Sequence, residues 1–282
     1  MKGAIPRMAL LWGVLAAVAS TAPAQDASLE FEVHVTPSGG VEEPVRGFPF
    51  YLLSKSFAEI VKEAETEDPK PDMDAFIAKL EMSPELKAWM KKNETVSLSG
   101  SEFYQKLKID DILKVPEFFD AYDQRNTSVR AIDFPKPKYK PADKAKNPEK
   151  YQKLKAEYED AIRRFYAEHP DSTDGMDIDL ESIDPGKKWD AMMGDRGSDV
   201  HREALELAES KYLVGRAETN LDGKAFLRGI PPGVYWLSTL DVAADVGDMR
   251  PRWDYALTLR PGEAKRVLLS NANAVRSAHP KR

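Results

Sequence analysis

Period-two alternation of apolar and polar residues occurs at both ends of this chain and not in its middle, and that division limits what it can fold into. Near the start, LEFEVHV sets Leu29, Phe31, Val33 and Val35 against Glu30, Glu32 and His34, the pattern of a strand with one buried face. FPFYLLS makes a second strand after the turn-rich TPSGGVEEPVRG. Near the end, KYLVGRAET, KAFLRG, VYWLSTL, WDYALTL and AKRVLLS resume the pattern, separated by NLDG, IPPG, a longer polar loop and RPGE. An isolated hairpin is marginal in water, so the two early strands are expected to join the five late ones in a single seven-stranded antiparallel β-sandwich. VYWL is apolar on both faces, which calls for the opposite sheet on one side and a cover on the other.

Between these zones, residues 55–210 read as helical. The strongest helix is NPEKYQKLKAEYEDAIRRFYAEHP. There Asn147 can cap, Pro148 fits the first turn, and Tyr151, Leu154, Tyr158, Ala161, Ile162 and Phe165 form one stripe. Shorter amphipathic pieces include Pro84 to Met90 behind a Ser83 cap, Glu102 to Leu113, and Asp199 to Tyr212. DFPKPKYKPADKAKNP suits an extended strap. The chain is therefore expected to comprise a first sandwich portion at 25–54, a helical insertion at 55–210, a second sandwich portion at 211–273 and a disordered tail at 274–282. The fold class is α+β.

The first 24 residues have the form of a secretory signal peptide: Lys2 and Arg7, an apolar run from Met8 to Ala19, and Ala22-Pro23-Ala24 before Gln25. Cleavage there predicts a secreted or periplasmic protein. It also removes two basic residues and no acid, making the balance more acidic than the −6 of the whole chain and disfavouring nucleic acid as a partner. The absence of cysteine excludes disulfides, thiol catalysis, cysteine-ligated metals and a lipid-anchored cysteine.

Turn chemistry carries a resemblance. GGVEEPVRGFPFYLL and AETNLDGKAFLRGIPPGVYWL together contain Gly40, Pro44, Val45, Gly47, Thr219, Asp222, Gly223, Phe226, Gly229, Pro232, Gly233 and Tyr235. This pattern resembles the carboxypeptidase regulatory-like and Cna-B-like group of transthyretin-type (prealbumin-like) sandwiches. The resemblance covers the first and last zones and implies their fold. The helical zone has no counterpart in the short form of that module. In the motif Asp222, Gly223, Pro232 and Gly233 are structural turn residues: Gly223 supplies a positive φ and Pro232 presets a turn φ. The Lys-to-Asn cross-link of some Cna-B-like modules finds no lysine in LEFEVHV.

No HExxH, HxxE, GxSxG or P-loop is present, and the zinc ligands of a carboxypeptidase are missing, so no peptidase activity is implied. A hydrolase would need His201 or His34 beside carboxylates in a pocket. The reading is a non-catalytic module for a carbohydrate or surface polymer, since sugar rings stack on aromatic side chains. Trp253, Tyr255 and Trp236 are the ligand candidates, Trp253 the better one because it opens a strand beside the polar loop and is expected at the surface, whereas Trp236 reads as buried. The alternative is an envelope structural or protein-interaction module using the insertion as its partner surface. DSTDGMDIDLESID gathers Asp174, Asp177, Asp179 and Glu181 as oxygen ligands for calcium, or as a solvated acidic loop. Lysines from Lys136 to Lys155 offer either a dock for an anionic polymer or a solvated face.

Overall fold

The computed structural model describes residues 25–130 and 133–275, so the expected leader and residues 276–282 of the expected tail lie outside the described residues. Among the described residues there are eight strands: β1 (Ala27–Val35), β2 (Glu43–Pro44), β3 (Pro49–Leu53), β4 (Leu213–Glu218), β5 (Lys224–Ile230), β6 (Gly233–Ser238), β7 (Asp254–Leu259) and β8 (Ala264–Leu269). Seven of them are the expected strands, and the eighth is the two-residue β2, too short to show in the alternation. Ten helices lie between β3 and β4. They are α1 (Phe57–Glu67), α2 (Met73–Ala78), α3 (Pro84–Lys92), α4 (Gly100–Lys106), α5 (Ile109–Lys114), α6 (Pro116–Val129), α7 (Asp143–Lys146), α8 (Pro148–Glu168), α9 (Met176–Leu180) and α10 (Gly186–Leu207). No helix among the described residues is long and apolar enough to cross a membrane. The chain divides into two compact units, residues 1–62 with 204–282 and residues 63–203.

The strands form two four-stranded sheets. One runs β2-β1-β5 with β8 also on β1, and the other runs β4-β3-β6-β7. All pairs are antiparallel except β1 with β8, which is parallel with Ser28 opposite Ala264 and Val33 opposite Leu269. This departs from the all-antiparallel expectation for a physical reason. The two strands stand at opposite ends of the chain, so no hairpin turn dictates their sense.

The two sheets share one core. Leu29, Phe31, Val33 and Val35 are fully buried, as the alternation requires, and Phe31 meets Phe50 of β3 edge-on at 5.2 Å. Each such burial contributes about 1.5–3 kcal/mol. The turns obey the sequence. Asn220 Oδ1 accepts from the backbone N–H groups of Asp222 and Lys224, at 3.0 and 2.9 Å. Gly223 has φ +75°, and a Cβ there would lie 2.6 Å from the Val33 carbonyl oxygen. Tyr235 donates its hydroxyl to the Pro231 carbonyl at 2.7 Å and so closes the Pro231-Pro232-Gly233 turn.

The helical unit has a separate core in which Trp89 packs edge-on to Phe118 at 4.9 Å and to Phe103 at 5.9 Å. Its caps follow the sequence: Ser83 accepts from Leu86 N and Asn147 from Lys150 N, both at 3.0 Å. α8 buries Tyr158, Ile162 and Phe165 of the expected stripe. Two helices differ from expectation. The stretch 102–113 breaks into α4 and α5 because Leu107 and Lys108 take extended backbone. The last helix begins at Gly186, well before Asp199, where Asp184 Oδ1 accepts from Gly186 N at 2.8 Å, and it ends in a wide turn at Ala208–Tyr212. At the other end of the chain Val275 still donates its N–H to Arg252 O at 2.7 Å, so order extends past residue 273.

Candidate functional site

Strand pairing decides which face each aromatic residue occupies. In β7, Trp253 precedes the first paired residue and shares its side with Tyr255, Leu257 and Leu259, the side that enters the common core. Trp253 is 1% exposed, 5.7 Å from the Phe50 ring, and its Nε1 donates to Ser270 O at 3.1 Å. The expectation that Trp253 offers a surface ring is thereby corrected. Its neighbour in sequence is a polar loop, but its strand parity points inward. Tyr255 is partly buried against the same core.

Trp236 lies on the opposite face, where burial was expected, and is only partly buried. Its register partners are Leu53 of β3 and Ala256 of β7, so these three side chains form a row on the outer face of the second sheet. Leu53 is fully buried, whereas Ala256, Val234 and Thr258 on the other side of Trp236 are exposed, Val234 at 54%. The indole therefore stands between a covered margin and an open one.

The adjacent row is polar: Arg216, Tyr51, Ser238 and Asp254. The Arg216 guanidinium sits over the Tyr51 ring, 5.1 Å from its centroid, which occupies that ring with a cation. Asp254 accepts from the backbone N–H groups of Phe57 and Ala58, at 3.2 and 3.4 Å, and so anchors the start of α1 above this face. Burial pushes the Asp254 carboxyl above the usual carboxylate range, although those N–H groups and Ser238 favour its anion. Tyr51 and Arg216 went unrecognised in the sequence reading, yet FPFYLL places Tyr51 out of phase with the buried Phe50 and Leu52.

The acidic loop does not assemble as a metal centre. Among the described residues, no three histidine or acidic side chains come together as a metal-binding group. Asp177 accepts the Tyr104 hydroxyl at 2.7 Å and Glu181 pairs with Lys187 at 3.1 Å. At Asp174 it is the backbone carbonyl that engages Arg125, at 3.1 Å. Asp179 keeps one buried oxygen without a partner. Asp177 and Glu181 line one cleft of about 240 Å³ with Asp184 and Lys187, without forming a metal-binding group there.

His34 and His169 have local roles. His34 lies 3.7 Å from Glu42 and 3.3 Å from the Asp222 carbonyl, bracing the turn. His169 packs on Phe165 at 4.6 Å. A cleft of about 510 Å³ beside the polar loop is lined by Asp241, Asp248, Arg250, Arg252 and Asn271 among others, with neither a histidine nor an aromatic ring. Arg252 is paired there with Asp241.

No protein-family model and no curated protein matches the chain. Among solved structures there is a distant likeness to a Pseudomonas aeruginosa protein described as a "putative carbohydrate binding protein", at 11% identity and a TM-score of 0.26, covering 90% of this chain and 93% of that one.

Proposed function

We propose that this protein is an exported, non-catalytic module of transthyretin-like type that binds a carbohydrate or surface polymer on the outer face of its second sheet. The observation that carries the reading is Trp236, a partly exposed indole bordered by exposed Val234, Ala256 and Thr258. Sugar rings present one apolar face, and a broad aromatic side chain among small neighbours suits that face at low entropic cost.

The test is affinity electrophoresis of the protein against a panel of soluble polysaccharides, with Trp236→Ala and Trp253→Phe run beside it. Trp236→Ala should weaken a retained interaction by about tenfold or more, as central aromatic anchors do, while Trp253→Phe should leave affinity unchanged. Retention of full binding by Trp236→Ala would remove the sheet face from consideration.

A second reading, a protein-interaction module, has one observation in its favour. On the outer face of the first sheet Phe226 and Leu268 are 44% and 56% exposed, among the ion pairs Lys224–Glu32 (2.7 Å) and Arg266–Glu30 (2.9 Å).

A further inference from the structure

The helical unit carries a second feature, independent of the sheet face. Between residues 136 and 155 stand eight lysines and only two acids, Asp143 and Glu149, in a chain whose net charge is −6. Elsewhere charges pair readily, as Arg163 does with Asp110 at 2.9 Å and Arg130 with Asp171. Of the eight lysines, Lys155 pairs with Glu159 at 3.4 Å, and the other seven ammonium groups have no ionic or hydrogen-bonding partner among the described residues. Arg164 on α8 is likewise unpaired among them.

These cations are held in a defined arrangement. The strap before α7 is pinned at two aromatic points. Buried Phe134 packs edge-on to Tyr122 and Phe165 at 5.8 and 5.2 Å, and Tyr139 packs on Tyr151 and Tyr158 at 5.1 and 6.0 Å. Between those pins exposed Lys136 and Lys138 rim a cleft of about 310 Å³ whose other wall is α8 with Arg164. Two acids also line it. They are Glu157 and Asp160, the latter 3.6 Å from the Arg163 guanidinium that also meets Asp110, so the cleft sets three cations against two acids.

We infer that this cleft binds a segment of acidic polysaccharide, its carboxylates meeting Lys136, Lys138 and Arg164. The shape and chemistry select this occupant among polyanions. A nucleic acid strand would need exposed rings on which to stack its bases, whereas Tyr158 is buried and Tyr139 is engaged by its two tyrosine neighbours. A peptide held by its side chains would need a sheet edge or deep apolar pockets, and the cleft offers only Leu154 and Ala161; one read by charge alone would bind polyglutamate more tightly than an acidic polysaccharide, a result that overturns the assignment. A carboxylated sugar chain requires a row of cations and little else, and lysine ammonium groups serve as point charges without demanding bidentate geometry.

The experiment titrates the protein with polygalacturonate and with its fully methyl-esterified form, which keeps the backbone and loses the charge. Lys136→Glu/Lys138→Glu/Arg164→Glu, Lys136→Gln/Lys138→Gln and Trp236→Ala are run in parallel, with circular dichroism to verify each fold. The acidic polymer should bind and the ester should not. The triple reversal should weaken binding at least tenfold and flatten its salt dependence, the double neutralisation should weaken it several-fold, and Trp236→Ala should change nothing. Absence of polygalacturonate binding at low salt overturns the inference, as do equal binding of the ester and undiminished binding by the charge variants. Loss through Trp236→Ala alone would move the site to the sheet face. Tighter binding of polyphosphate or of phosphatidylglycerol vesicles would assign the cleft to another anion and also overturns it.

Discussion

The two faces of the second sheet draw on the same residue types and put them to different uses. Inward, Trp253, Tyr235, Leu237, Leu257 and Leu259 interlock with β1 and are closed to solvent. Outward, Trp236, Val234, Tyr51 and Leu53 grade from full burial to more than half exposure within a few residues. The inner face meets an opposing sheet and buries all five of these, with Tyr255 beside them only partly buried. The outer face receives the start of α1 at Asp254 and keeps a margin open at Val234, Ala256 and Thr258. A tryptophan therefore acquires its role from its parity in the strand and not from hydrophobicity.

The sharpest way to break this comparison is truncation of the two indoles. Trp253→Ala should cost about 3–5 kcal/mol, the usual range for emptying a large aromatic site, with the Ser270 carbonyl losing its donor as well. Trp236→Ala should cost less than about 1.5 kcal/mol, in the range of partly exposed positions. Urea midpoints measure both, and equal losses would mean that the outer face is as closed as the inner one.

Asp254 comes next. Asp254→Ala removes the acceptor from the first N–H groups of α1 and should cost about 0.5–2 kcal/mol, as lost caps do. Its ionisation adds a pH signature. The folded-state carboxyl is raised above its ordinary value of 3.8 by burial, so the folded chain holds this proton more tightly than the unfolded chain. The group's contribution to stability is thus fully present below the unfolded value and is lost as pH rises through the folded one. Asp254→Asn should remove that part of the dependence, and unfolding curves from about pH 3 to about pH 7 would expose a wrong sign.

The smallest effect is expected from Arg216→Ala. An exposed cation over a ring is worth about 0.5–1 kcal/mol, so stability should fall by that amount while the Tyr51 ring becomes accessible to solvent quenchers. Unchanged quenching of a tyrosine signal, compared with a Tyr51→Leu control, would show that Arg216 does not shield the ring.

Much of this architecture could be read from local pattern. The alternation in LEFEVHV gave the buried face of β1, and NLDG and IPPG gave the turns around Gly223 and Tyr235. The fate of Trp253 was also present in the letters, since WDYALTL sets it in phase with Leu257 and Leu259. The adjacent polar loop was the misleading cue. Trp236 is different in kind: VYWL is apolar at every position, so no periodicity distinguishes its faces, and only the pairing with Leu53 and Ala256 does. Long-range features left no local trace either. These include the parallel β1–β8 pair, Asp254 at the start of α1, and the engagement of Asp177 by Tyr104 and of Glu181 by Lys187.

The position of β1 has a consequence for how the molecule is made. Its long neighbours are β5 and β8, and the register with β8 joins Ser28 to Ala264. A chain growing from its N-terminus must therefore keep one long edge of β1 open until β5 is made and the other until β8 follows, while the contacts of residues 63–203 become available earlier. Non-local pairing of this kind delays closure. The first sheet is thus finished only once β8 is made, and a nascent chain has an open strand edge for a chaperone to hold.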